Sequence, residues 1–231
     1  MSIKSKTLFD KIRRNNPYFE DFITRSVYHS NAIEGNTLSY ADTYRIIFNE
    51  NDMQVTATPR ELYEAINLKY ALGFILQNLD SDITLNFIKT IATYINKNIE
   101  DVTDFRKTQV FIKGTPYIPP EAGEVPHLVS ELVYKMRKTK DEDLFDYLAR
   151  FHIDFERIHP FYDGNGRTGR LLITKELLSR GRAPVVIPFV SRNKYINCFD
   201  MMDYAGLSKL LKQLNVLEVE RMKQFGINTI G

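Results

Sequence analysis

The chain predicts a mostly α-helical fold carrying one β-hairpin. Apolar residues recur at helical spacing through most of the 231 residues, and a single stretch, 105–120, instead alternates β-formers about a glycine turn. With 43% hydrophobic residues the chain can bury one sizeable core, so residues 1–231 are expected to form a single compact domain. In chain order, helical periodicity covers 17–33 and 39–50 and then a run through Leu62, Ile66, Leu68, Leu72, Ile75, Leu76 and Leu79. Pro59 opens that run at a first-turn position, and its length makes it the expected longest, central helix. The pattern resumes at 84–97, 125–138, 141–158, 167–180, 192–204 and 207–225. Between the fourth and fifth of these helices, FRKTQVFIKGTPYIPP has Gly114 at its turn and ends in two prolines that exclude a helix, so a hairpin is expected over about 106–119.

Lys and Arg total 31 against 29 Asp and Glu, a net charge of +2, which gives no electrostatic case for nucleic acid or a membrane surface as a partner. Any anion site must be local. The first nineteen residues are charged throughout and contain no apolar run long enough for a signal peptide or membrane span. Cys198 is the lone cysteine and is expected to be a buried apolar residue, consistent with a reducing, cytoplasmic compartment.

The chemistry concentrates in HPFYDGNGRTGR, residues 159–170. Pro160 biases His159 away from helical angles, and Gly164 and Gly166 allow a tight turn whose amides converge on an anion. The helix expected from Arg167 onward puts that turn at a helix N-terminus, where free amides and the dipole favour phosphate. His159 is the candidate base and Asp163 an oxygen ligand suited to Mg²⁺ held jointly with substrate phosphates. Asn165 either contacts a phosphate oxygen or braces the turn. Arg167 and Arg170, three apart on a helix, present guanidinium forks suited to phosphate. Each element alone is ordinary; a structural turn has no need of all of them within one loop and one helical turn.

This segment resembles, without departure, the Fic-domain motif HPF-x-[DE]-GNGR-x-x-R. The resemblance implies a helical Fic fold and transfer of AMP from ATP to a Ser, Thr or Tyr hydroxyl of a target protein, or of the chain itself, with pyrophosphate leaving. It implies His159 as general base and Asp163 as ligand of Mg²⁺, for which Mn²⁺ can substitute. Gly164, Asn165, Gly166 and Arg167 would cradle phosphates and Arg170 would take the γ-phosphate. Related Doc-like kinases carry lysine at the place of Gly166, which favours AMP transfer over phosphorylation. The hairpin resembles the Fic flap that pins a target segment by strand pairing, through Thr108, Gln109, Val110, Phe111 and Ile112.

Near the N-terminus, SNAIEGN places Glu34 before Gly35, a residue suited to ending a helix in the left-handed conformation. A carboxylate there opposes the helix dipole and calls for a cation, for which Arg170 is a candidate. The segment resembles the Fic inhibitory motif [ST]-x-x-x-E-[GN], with Ser30 and Glu34 at its defining positions on a helix of about 17–35. That resemblance implies that Glu34 holds Arg170 and blocks productive ATP binding. Family resemblance also leaves open AMP removal, alone or beside transfer, and a catalytically silent nucleotide-sensing module whose helices recruit partners. Tyr195 aligns loosely with a nucleoside-facing position, and Asp203 stands where related chains often carry asparagine. His29, His127 and His152 show no ligand-like grouping and are expected to be structural. A helical domain of this size is also a candidate for self-association.

Overall fold

The computed structural model describes residues 3–49, 55–112 and 114–228. Among them the architecture is ten α-helices and three short 3₁₀ turns with no strand. The helices are α1 (Ile3–Arg14), α2 (Asn16–Ile33), α3 (Tyr40–Phe48), α4 (Pro59–Gln77), α5 (Leu85–Asn96), α6 (Val125–Lys138), α7 (Leu144–Ile158), α8 (Asn165–Ser179), α9 (Arg192–Asp200) and α10 (Tyr204–Gln224).

Local chemistry sets most of these ends. Asn15, Ser39, Thr58 and Thr84 accept first-turn amides of α2, α3, α4 and α5, and Thr58 with Glu61 forms a reciprocal capping box at Pro59. The expected end of α3 at residue 50 lies outside the described residues. Three expectations change. Helix α1 carries too many charges for its periodicity to stand out, yet Leu8 and Ile12 bury completely in the core. The longest helix is α10, with 21 residues against 19 in α4. The run read as 192–204 stops at Asp200, because Met202 turns into the left-handed region (φ 50°) and Asp203 caps α10 by accepting Gly206 N–H at 2.8 Å.

Among the described residues the expected hairpin forms no ladder. Across its turn one backbone bond joins Thr115 N–H to Ile112 O at 3.4 Å, and Pro116, Pro119 and Pro120 remove donors that a second strand would need. A two-stranded hairpin without a third partner is marginal in any case. Side chains hold the arms instead: Gln109 Nε2 donates to Pro119 O at 2.8 Å, and Arg106 bonds the carbonyls of both Thr108 and Pro120. The segment is therefore an extended, side-chain-braced loop, and its expected strand-pairing edge is unladdered.

At the centre lies α8, whose residues from Arg167 to Leu178 are all buried, with α1, α2, α4, α5 and α7 packed around it. One apolar cluster joins α1–α6 to it, and a second joins α7, α8, α9 and α10. Gly169 lets α7 approach: a Cβ there would run into the His152 ring. The helix opened by the 159–170 motif is thus the most enclosed in the fold, which makes the motif's backbone a rigid platform.

Candidate active site

His159 ends α7 in the left-handed conformation (φ 49°, ψ 61°), an angle that turns its side chain from the helix toward the loop. Its Nδ1 lies 3.2 Å from Glu156 O. A carbonyl only accepts, so Nδ1 carries the proton and Nε2 is left as a free base. Burial lowers the histidine's pKa below its ordinary value, against the opposing pull of that hydrogen bond. The carbonyls at this helix end are held by buried Arg106, which the sequence reading did not single out. Its Nε donates to His159 O at 2.8 Å and its Nη2 to Ile158 O at 3.3 Å, while its own N–H donates to Pro160 O at 2.9 Å. A cation here also opposes the negative end of the α7 dipole.

Gly164 (φ 78°) turns the chain into α8, and a Cβ on it would press against Asn96 and Ile95 at 2.9 Å. Asn165 braces this turn rather than reaching outward: its Oδ1 accepts Phe161 N–H at 2.9 Å and its Nδ2 donates to Phe161 O at 2.8 Å. Gly164, Asn165 and Gly166 line a cavity of about 780 Å³, and the first-turn amides of α8, which begin at Asn165, have no acceptor within the helix. His159, Asp163, Glu34 and Arg170 share that cavity.

Asp163 Oδ1 accepts Gly164 N–H at 2.5 Å and Arg167 Nη2 at 3.0 Å, while Oδ2 meets Arg60 of α4. Burial alone would raise its pKa, but Arg167 and Arg60 outweigh burial and keep the carboxylate ionised below the usual range. Arg167 is only 2% exposed and does not line the cavity; it is fixed between Asp163 and Glu64, 3.5 Å away. The structure therefore places it behind the carboxylate, and away from the space a phosphate would fill. Among the described residues no group of three or more His, Cys, Asp or Glu is arranged to hold a metal ion. One ionised, cavity-facing carboxylate still fits a hard cation that brings phosphate oxygens of its own.

Arg170 is almost enclosed, and its guanidinium makes four hydrogen bonds. Nε donates to Ser30 Oγ at 2.8 Å, Nη2 to Ser30 O at 3.0 Å and to Glu34 Oε1 at 2.6 Å, and Nη1 to Tyr195 OH at 3.2 Å. Glu34 caps the C-terminus of α2 before Gly35 (φ 99°), the conformation its sequence anticipates. Its Oε1 lies so close over Gly166 that a Cβ there would have to displace it. The helix and loop that carry Glu34 are anchored on both sides of it: Arg25 of α2 forks onto Glu218 of α10 at 2.8 and 2.7 Å, and Asn36 and Thr37 bond Glu64 and Glu61 of α4. Beside it Glu156, with one oxygen buried and unpartnered, is pushed by burial and by Glu34 up to about 8.

Tyr195 lines the cavity but is only 1% exposed, with its hydroxyl already bonded. Its hydroxyl lies 2.5 Å from His152 Nε2 as well as on Arg170, and its ring packs edge-on to Phe199. Burial holds His152 down to about 3, so it is neutral and structural, as its isolation in the sequence suggested. Half-buried Ile196 and Phe199 of α9 supply the apolar wall on this side of the cavity. Of the loop residues, Phe111 and Ile112 reach the cavity rim, whereas Thr108, Gln109 and Val110 do not line it. Thr108 instead meets Tyr162 OH at 3.2 Å, tying the loop's base to the motif.

A helical fold in which an HPF-x-D-GNGR-x-x-R loop closes one helix and opens the central one defines a Fic domain. Residues 82–177 match the Fic/DOC family, and the chain carries a domain of that family. It is 32% identical over 178 residues to the protein adenylyltransferase Fic of Drosophila grimshawi, and 33% identical over 178 residues to that of Drosophila melanogaster. Both matches cover 73% of this chain, but 36% and 35% of the two relatives, so the chain spans about a third of their length. The fold is shared with a Fic domain containing signaling protein from Bacteroides thetaiotaomicron, with a TM-score of 0.80 and 22% identity over 99% of this chain and all of that one. It is shared also with Fic-1 from C. elegans, with a TM-score of 0.71 and 23% identity over 96% of this chain and 70% of that one. Among the described residues no helix is long and apolar enough to cross a membrane.

Proposed function

We propose that the chain is a protein adenylyltransferase restrained by its own Glu34. The observation that carries this reading is the 2.6 Å bond from Arg170 Nη2 to Glu34 Oε1, made directly over Gly166 in the cavity that also holds His159. His159 Nε2 takes the proton from a target hydroxyl, whose oxygen attacks the α-phosphorus of ATP, and pyrophosphate leaves. Amides of the α8 first turn and Arg170 stabilise the negative charge on the phosphates. Mg²⁺ on Asp163 would neutralise phosphate charge, and Arg167 keeps that carboxylate aimed at the cavity. Ile196 and Phe199 provide apolar contact for the nucleoside, while Phe111 and Ile112 at the rim receive the target segment.

Glu34 acts by occupying Arg170 and the space above Gly166, so the γ-phosphate is denied its guanidinium. In this reading Glu34→Gly with Mg²⁺ and α-labelled ATP transfers label to a target or to the chain, and adding His159→Ala abolishes transfer. No label transferred by Glu34→Gly, in its own lysate or purified, would sink the assignment. A second reading, removal of AMP from a modified protein, draws on Glu34 being partly exposed in the same cavity, where it can orient a water. That activity would appear in the wild type and vanish in Glu34→Ala.

A further inference from the structure

The two oxygens of Asp163 have unequal partners. Oδ1 is held from within, by Gly164 N–H at 2.5 Å and by buried Arg167 at 3.0 Å. Oδ2 has as its partner the Arg60 guanidinium, whose side chain is 58% exposed against 30% for Asp163. Arg60 needs no such partner for its own sake. Its Nε already pairs with Glu64 Oε1 at 3.0 Å, one turn along α4, and that bond persists if the other arm lets go. Nor does Asp163 need Arg60 to stay in place, because the Oδ1 contacts fix its rotamer. The Arg60–Asp163 contact is therefore the exchangeable one among Arg60, Glu64, Arg167 and Asp163, and it occupies the one oxygen of this cavity-lining carboxylate that has no partner from its own turn.

We propose that Arg60 is an internal counter-ion that competes with the divalent cation for Oδ2 of Asp163, so that metal loading requires Arg60 to swing back onto Glu64. The inference rests on the reading of Asp163 as the metal ligand. A guanidinium and a divalent ion cannot both occupy the same lone-pair region at contact distance, so occupancy by one excludes the other. Arg60 thereby sets the metal concentration at which the site becomes competent, and keeps the carboxylate charge compensated when no metal is bound. It is a positioning residue; it touches no reacting atom.

The test is Mn²⁺ binding, read by water-proton relaxation enhancement in the Glu34→Gly chain saturated with an ATP analogue whose α–β bridge is methylene. Arg60→Gln should bind Mn²⁺ roughly three- to fivefold more tightly, the upper part of the range expected for losing one partly exposed ion pair. Arg60→Lys, which keeps a competing cation on the same stem, should stay within about twofold of the parent. Unchanged or weaker Mn²⁺ binding in Arg60→Gln overturns the proposal, weaker binding meaning that Arg60 helps hold the metal–phosphate unit. Asp163→Asn separates this from the functional reading. If it loses Mn²⁺ binding while Arg60→Gln is unchanged, only the competition fails; if it binds Mn²⁺ like the parent, the metal assignment of Asp163 fails too.

Discussion

Replacing Glu34 by alanine should raise the affinity of the chain for Mg²⁺–ATP by about 5- to 150-fold. The range follows from where the pair sits. Arg170 is 9% exposed and Glu34 38%, so the contact lies between a surface pair, worth about 1 kcal/mol or less, and a buried one, whose disruption costs about 3–5 kcal/mol. An intermediate 1–3 kcal/mol converts to the stated factor. Glu34→Ala should not disturb Arg170 itself, because Ser30 holds it through two bonds and Tyr195 through a third. Calorimetric titration with Mg²⁺–ATP in a His159→Ala background, which prevents turnover, measures the change directly. Glu34→Gln should fall between the two, since it keeps a hydrogen-bond acceptor and loses the charge. Equal dissociation constants, within about twofold, for the parent and Glu34→Ala would refute the argument that this contact denies Arg170 to the nucleotide.

Arg106→Ala should destabilise the fold by about 3 kcal/mol or more, because it strips a buried cation from carbonyls of His159, Ile158, Thr108 and Pro120. Urea denaturation measures this, and a loss under about 1 kcal/mol would show the carbonyls re-solvated without penalty. AMP transfer by the Glu34→Gly chain should have its acid limb below pH 6.5. The base works as neutral imidazole, and a folded pKa lowered by burial keeps it neutral as pH falls past 6.5 and loses it only on passing the lowered value. A pH–rate profile of kcat/KM with its acid limb above pH 6.5 would contradict that environment for His159.

The 159–170 segment was legible because its chemistry is contiguous. A helix end, a glycine turn and a helix start lie within twelve residues, and local backbone preferences alone bring base, carboxylate and amides to one place. The same holds for Glu34, since the helix stop at Gly35 is written beside it. Arg60, Glu64 and Arg106 had no such signal. They reach the motif from 103, 103 and 53 residues away, at Asp163, Arg167 and His159, and in sequence each is one more charged residue on a segment with other reasons to exist. Tyr195 was legible only as a position on the cavity-lining helix α9; the partners of its hydroxyl, His152 of α7 and Arg170 of α8, come from other helices.

The sequence by itself determined the helical class, the position of most helix ends, and the glycine turn that sets His159 and Asp163 at the start of α8. These depend on interactions within a few residues, where spacing fixes geometry. Tertiary structure decided what each group faces. It left the 105–120 segment without a ladder, put Asn165 and Arg167 behind the turn, and brought Glu34 over Gly166 against Arg170. Those outcomes follow from packing α2, α4 and α7 around α8, an arrangement in which a side chain's partner comes from another helix and is invisible to any local pattern.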